Sequence, residues 1–365
     1  MQLEERHTRD IGLDITRIVA FASVPSIHFF LNSGFYNAEV IGIKMYLMVA
    51  TRTLFTICVP LFMLISGYLL SNKKTEITKA GILHYYSKLG RVIATYMISV
   101  IVIVAFRIVI QQEELSVLKT SVSDIVSFNY YSWYIEMYIG LYLLTPFLNK
   151  LWHIMEEKDA RKALVAVLLI VTILPSFLNL VSNVLVCGDG NKNILNWWTG
   201  LYPITYYYIG AYIRSEVDVK KLNTIQLTLL MILCVGAFTV INCYKSYSIN
   251  FVWGEWNSWH GFENVIDAVL VFLIINSINY RKPSQLAIKA TKFISNLTLG
   301  AYLLSWIPDH YFYPKLIKVV PQLTERFRFF PLMVGKTIIA SLLLSFSVYI
   351  VVNTAGAICQ KRRIQ

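Results

Sequence analysis

"RDIGLDITRIVAFASVPSIHFFLN" (residues 9–32) is apolar enough to enter a membrane, yet it carries Asp14, Arg17 and His28 inside its apolar run. About 20 such residues cross about 30 Å of hydrocarbon as a helix, so the stretch is long enough to span. Ionised residues within the run, with no small-residue cleavage site after it, read as a retained span rather than a cleavable leader.

The rest of the chain has the same character. Of 365 residues, 56% are hydrophobic and only 15% are charged, and the mean hydropathy is positive. That balance excludes an ordinary soluble domain. Apolar runs predict ten spans, at 11–31, 46–70, 92–110, 131–149, 163–181, 197–213, 224–243, 262–279, 293–312 and 331–353. The expected fold is all-α, a polytopic transmembrane bundle of about ten helices, as one integral domain over residues 1–365. The second span holds Pro60 and Gly67, breakers that membrane helices tolerate where neighbours satisfy the freed backbone. There is no internal repeat and no low-complexity linker.

Lys and Arg set the expected orientation, because cytoplasmic loops retain them. The segments "SNKKTEITKAGILHYYSKLGR", "EEKDARK", "RSEVDVKK", "RKPSQLAIKATK" and the tail "KRR" fall on one side, with Arg6 and Arg9. Both termini are therefore expected in the cytoplasm. The loop "KLIKVVPQLTERFRFF" breaks the pattern by placing cations outside. The net charge of +12 reads as a topology signal and an attraction to anionic lipid, not as a nucleic-acid footprint. The five cysteines show no Cys-x-x-Cys spacing, so no metal is expected. Cys187 and Cys243 are within reach of the outer face by the predicted topology, which allows one disulfide without supporting it, and the thiols are expected to serve as packing residues.

On a helix, Arg17 and His28 differ by about 20° in azimuth and lie about 16 Å apart along the axis, with Asp14 within about 60° of both. The three form a polar stripe through the bilayer. Such residues are expensive in lipid and mark a pathway or reactive site unless they are structural. Two readings fit: Asp14 and Arg17 as an intrahelical ion pair with His28 a satisfied core histidine, or all three in chemistry. Arg52 is expected near the level of His28, and Glu136, Glu263, Asp267, His260, Asp309 and His310 in the same outer half. A histidine beside a carboxylate suits general-base work; for His260 and His310 the expected fate is a solvated helix end.

These residues also resemble a family. "RDIGLDITRIVAFASVPSIH" is similar to the opening of the acyltransferase-3 family of membrane O-acyltransferases, matching at Arg9, Asp14, Arg17 and His28. "VPLFMLISGYLL" resembles the family's second-helix element at Ser66, Gly67 and Tyr68, and "YYSKLGRVIATY" its basic third-helix opening at Lys88 and Arg91. "SWYIEMYIGLYLLTPFLNKL", "YYYIGAYI" and "SNLTLGAYLLSW" resemble later elements, in order and over nearly the whole chain. Many members carry a histidine where this chain has Ser305 and Trp306. That role is then dispensable, supplied by Asp309 and His310, or tied to a different acceptor.

The resemblance implies a multi-pass protein of the bacterial plasma membrane. It would move an acyl group, most often acetyl, from cytoplasmic acetyl-CoA to a hydroxyl of a cell-surface or lipid-linked glycan. Arg17, Lys88 and Arg91, with Ser66, are the expected donor-binding residues. His28 is the expected base or acyl carrier, beside Asp14 and Arg17. By geometry alone, Arg52 would steady the oxyanion and Glu136 would join the site. The tryptophans at 133, 197, 198, 253, 256 and 259 suit an interfacial belt or sugar stacking. The rival class is a secondary transporter of a glycan precursor.

Overall fold

Asp10 starts the first helix by accepting a hydrogen bond from the Gly12 amide at 2.9 Å, which satisfies a donor that the helix itself cannot. In the computed structural model this helix, α1, runs Ile11–Asn32. The structure describes residues 10–113, 131–185, 196–280 and 283–364, so Arg6, Arg9 and Cys187 lie outside the described residues.

Then follow α2 (Ile43–Phe55), α3 (Cys58–Leu70), α4 (Lys79–Ser87) and α5 (Gly90–Val109). The middle of the chain forms α6 (Trp133–Ile154), α7 (Lys158–Thr172), α8 (Leu174–Leu185) and α9 (Tyr202–Glu216). The remainder is α10 (Thr224–Lys245), α11 (Phe262–Ser277), α12 (Gln285–Leu304), α13 (Trp306–Val319), a short α14 (Leu323–Arg326) and α15 (Phe330–Ile364). Among the described residues there is no named strand, only isolated bridges from Glu39 to Asn250 and from Val40 to Tyr247.

The bundle is helical and membrane-spanning, but its helices depart from the ten predicted runs. Among the described residues, five stretches are long and apolar enough to cross by themselves: Ile11–Asn37, Ile43–Leu70, Lys79–Val109, Thr224–Lys245 and Leu323–Gly356. A sixth is formed if α7 and α8, bent by 42°, count as one. The helices α6, α9, α11 and α12 occupy predicted spans but fall outside that class. The predicted run 293–312 is cut at Ser305, where α12 gives way to α13. The second run is cut between Phe55 and Cys58: Pro60 has no amide to offer the Thr56 carbonyl, so the ladder fails there.

Burial sorts centre from periphery. The best window of the first span is 67% buried, whereas those of Lys79–Val109 and Thr224–Lys245 are 11% buried, which puts α1 in the middle and α5 and α10 at the rim. Close crossings hold the centre. A Cβ on Gly67 would stand 1.9 Å from the Tyr207 carbonyl oxygen, and one on Gly210 2.2 Å from that of Leu64. Small residues let backbones approach where lipid supplies no hydrophobic drive between helices. Ser345 of α15 likewise donates to the Leu297 carbonyl of α12 at 2.7 Å.

Candidate active site

The first helix presents its polar groups to two different surroundings. Asp14 is buried, and its Oδ1 lies 3.5 Å from Arg17 Nη1. Arg17 itself is partly open and lines a cavity of about 460 Å³. Arg91, Ser66 and Asn296 line the same space, with Tyr134 and Tyr302 among its walls. Ser66 spends its proton on the Phe62 carbonyl at 2.8 Å, so it offers the cavity acceptor lone pairs. Arg91 also donates to Asn353 of α15.

Lys88 is exposed at the end of α4 and stands outside this lining. It acts on Lys73, in the loop before α4. Desolvation, reinforced by the neighbouring charges of Lys88 and Arg17, pushes the Lys73 amine below its ordinary lysine value. Lys73, like Lys88, stands outside the cavity lining, but it lies within reach of the charges of Lys88 and Arg17, although the sequence reads only as an ordinary basic loop.

His28, further along α1, meets a carboxylate from the other end of the chain. Its Nδ1 lies 2.8 Å from Asp309 Oδ2. The Tyr131 hydroxyl donates to the same oxygen at 3.1 Å, and Thr337 Oγ1 donates to the other at 3.3 Å. Tyr131 in turn accepts from Asn32 Nδ2 at 3.1 Å. With these donors fixing the carboxylate, Nδ1–H points at Asp309 and Nε2 is left as the basic nitrogen, a tautomer assigned from the network. The imidazole retains 12% of its surface and the Asp309 side chain none, so the histidine is the member that a substrate can touch.

The two surroundings communicate. Tyr302, on the cavity wall, donates its hydroxyl to the Tyr131 carbonyl, and the Tyr131 ring lies 4.4 Å from that of His28. At the position where the resemblance leads one to expect a histidine, Ser305 is buried and donates to the Tyr302 carbonyl at 2.7 Å. Asp309, one turn later, supplies the polar partner. His310 is not a solvated end: it stacks on Trp306 with ring centroids 3.7 Å apart and lies 2.8 Å from the Trp306 carbonyl oxygen through Nδ1.

Arg52 and Glu136 lie elsewhere. Arg52 is buried; its Nε donates to the Tyr36 hydroxyl at 2.9 Å, and its guanidinium sits over Phe251 at 4.3 Å and Trp253 at 4.6 Å. Pairing of Val40 N–H with the Ile249 carbonyl at 2.9 Å brings these loops together around it. Glu136 is exposed, on the α6 face shared with Gly140, Leu143 and Leu144, away from the buried residues of that helix. Glu263 accepts from Asn242 Nδ2 at 2.9 Å, and Asp267 is buried with both carboxylate oxygens unpartnered among the described residues. Trp256 is buried and donates through Nε1 to Asn242 at 2.9 Å, so it fastens its loop. Trp253 stays 42% exposed and can meet a ligand. From it, ring contacts pass to Trp259, Trp133 and Tyr134 at centroid separations of 6.2, 5.7 and 6.5 Å. This aromatic wall reaches the cavity. Cys243 is a free thiol.

A family model described as an acyltransferase domain of the acyltransferase-3 type matches residues 10–350. The chain belongs to the acyltransferase-3 family. No curated protein and no solved structure matches it. As a membrane acyltransferase of this family, the protein needs a place for an acyl donor and a group that can activate an acceptor. The arginine-lined cavity and the His28–Asp309 pair have those properties, and together they engage the basic and histidine positions at which the sequence resembles the family.

Proposed function

We propose that this acyltransferase moves an acetyl group from acetyl-CoA to a hydroxyl of a cell-surface or lipid-linked glycan in a bacterial plasma membrane, with both termini cytoplasmic. The carrying observation is the continuity from the Arg17 and Arg91 cavity, through Tyr302 and Tyr131, to His28. A coenzyme A donor brings phosphates, and guanidinium groups with neighbouring ammonium charges suit them. Arg17, Arg91, Lys73 and Lys88 would bind that polyanion, while the apolar lining beside Ser66 takes the pantetheine arm.

The acceptor hydroxyl then gives its proton to His28 Nε2 as its oxygen bonds to the thioester carbon. The C–S bond breaks, coenzyme A leaves as the thiolate, and the imidazolium returns the proton to that sulfur. Asp309 steadies the imidazolium without taking its proton. Pairing with a fully buried carboxylate favours the base role over the acyl carrier. Trp253, Trp259 and Trp133 offer flat faces to sugar rings on the approach, anchored at one end by Arg52.

Acetyl content of the surface glycan in cells producing the wild type, His28→Ala or Arg17→Ala at matched membrane levels tests this reading. Loss of acetylation in both variants is expected. Persistence in both would make the stripe structural and overturn the assignment of the site to His28 and Arg17.

A further inference from the structure

α13 carries Asp309 beside His28 and then runs past the end of α1, where Tyr313 meets Phe29 with ring centroids 5.9 Å apart. Beyond that level its exposed face holds Lys315 and Lys318, within about 60° of each other around the axis. Lys336 of α15 joins them, 5.9 Å from the Phe312 ring and next in sequence to Thr337, which donates to Asp309. Lys315 lies over Tyr311 and Arg328 over Phe329, at 3.3 and 4.9 Å.

Among the described residues the carboxylates near this face already have partners, Glu113 being paired with Arg107 at 2.7 Å. Glu325 is engaged by Lys44 and Arg328, and Asp309 is buried with His28. Lys315, Lys318 and Lys336 therefore have aromatic or solvent neighbours but no carboxylate partner among the described residues. They also stand at the His28 end, opposite the arginine-lined cavity, where the distribution of loop charge gives topology no use for them.

We infer that this surface recognises the acceptor by its charge, and that the acceptor is an anionic glycan bearing phosphate or carboxylate groups along its chain. The inference rests on the proposed acyltransferase reading, since it supplies the acceptor of that same site. Lysines on long stems suit a repeating, mobile anion better than a single fixed ligand, because each ammonium is a point charge that can follow the chain. They would raise the local concentration of the polymer at the helix that orients His28, an effect that salt weakens. A bilayer of anionic headgroups offers similar charge, but it would not lead from the patch to the Asp309 clamp.

The test uses the full chain in nanodiscs of zwitterionic phosphatidylcholine. Binding of a poly(glycerol phosphate) oligomer and of a neutral dextran oligomer is measured at low and high salt, for the wild type and for Lys315→Gln/Lys318→Gln/Lys336→Gln. The inference expects the anionic oligomer to bind, to weaken with salt, and to lose about tenfold or more in affinity in the triple variant, with dextran binding weakly throughout. Thermal melting and coenzyme A binding check that the variant is folded. Equal binding of both oligomers, or an unchanged affinity in the triple variant, overturns the inference. So does a variant that binds the anionic oligomer like the wild type but, in parallel nanodiscs containing phosphatidylglycerol, loses the enrichment of that lipid around the protein, since the patch would then read lipid. Wild-type protein that binds the anionic oligomer but never consumes acetyl-CoA would instead refute the proposed acetyl-CoA donor, and the two failures are thereby distinguished.

Discussion

The Tyr302 hydroxyl donates to the backbone carbonyl of Tyr131, so a residue on the wall of the donor cavity holds the residue that packs on His28. Tyr302→Phe removes the donor and leaves the ring. It is expected to lower kcat by about tenfold, the scale of losing one hydrogen bond that leaves a buried acceptor unmade, with a smaller change in KM for the donor. Steady-state kinetics with acetyl-CoA separates the two; a pure KM effect would place Tyr302 in binding alone.

Asp309 is a positioning residue, because it acts on substrate only through His28. Asp309→Asn keeps the volume but cannot stabilise an imidazolium and favours the other tautomer. A fall of about 10²–10⁴ in kcat is expected, with donor binding intact. Thr337→Val, which deletes the weaker hydrogen bond, should cost far less. If both variants lose activity only in proportion to lost folded protein, the pair is structural.

The crossing of α3 and α9 has no room for a side chain at Gly67. Gly67→Ala should destabilise the protein by about 1–3 kcal/mol as backbones are forced apart, and Gly210→Ala by a similar amount. Thermal unfolding in detergent measures this; Gly236→Ala, where nothing lies within 4 Å of the added carbon, is the control, expected to be neutral or slightly stabilising.

The depressed Lys73 pKa has a definite sign in pH. Its positive charge is complete at low pH and is lost as pH rises through a value below that of an ordinary lysine. Donor affinity should therefore weaken on the alkaline side earlier than lysine chemistry suggests, and donor binding there should take up a proton. Lys73→Arg, which stays charged, is expected to extend tight binding to higher pH. A pH profile of coenzyme A affinity that is identical in the two proteins would remove Lys73 from the site.

Much of this was legible in the sequence, and the rest fails for identifiable reasons. The polar stripe on α1 follows from helical spacing alone, and both ends of it meet polar surroundings. Periodicity could not say what those surroundings are: Asp309 is 281 positions from His28, and only packing brings them together. Glu136 shows the opposite limit. Its position in an apolar run reads as buried, but which face of α6 turns outward depends on its neighbours, and Glu136 is on the outward one. Arg52 was legible as an intramembrane cation, whereas the loops carrying Tyr36 and Trp253 that enclose it were not. The broken spans have local causes, Pro60 for the second and the turn at Ser305 for the ninth, but a hydropathy window runs across both breaks.

The central claim is that His28 and Asp309 act as one unit in acyl transfer. The most direct measurement is a double-mutant cycle on kcat/KM, with His28→Ala, Asp309→Asn and the double variant purified at equal folded content. A carboxylate that works only through the histidine has nothing left to do once the imidazole is gone, so the double variant should be no slower than His28→Ala alone. Losses that multiply, with the double variant slower by the product of the two single effects, would contradict the account.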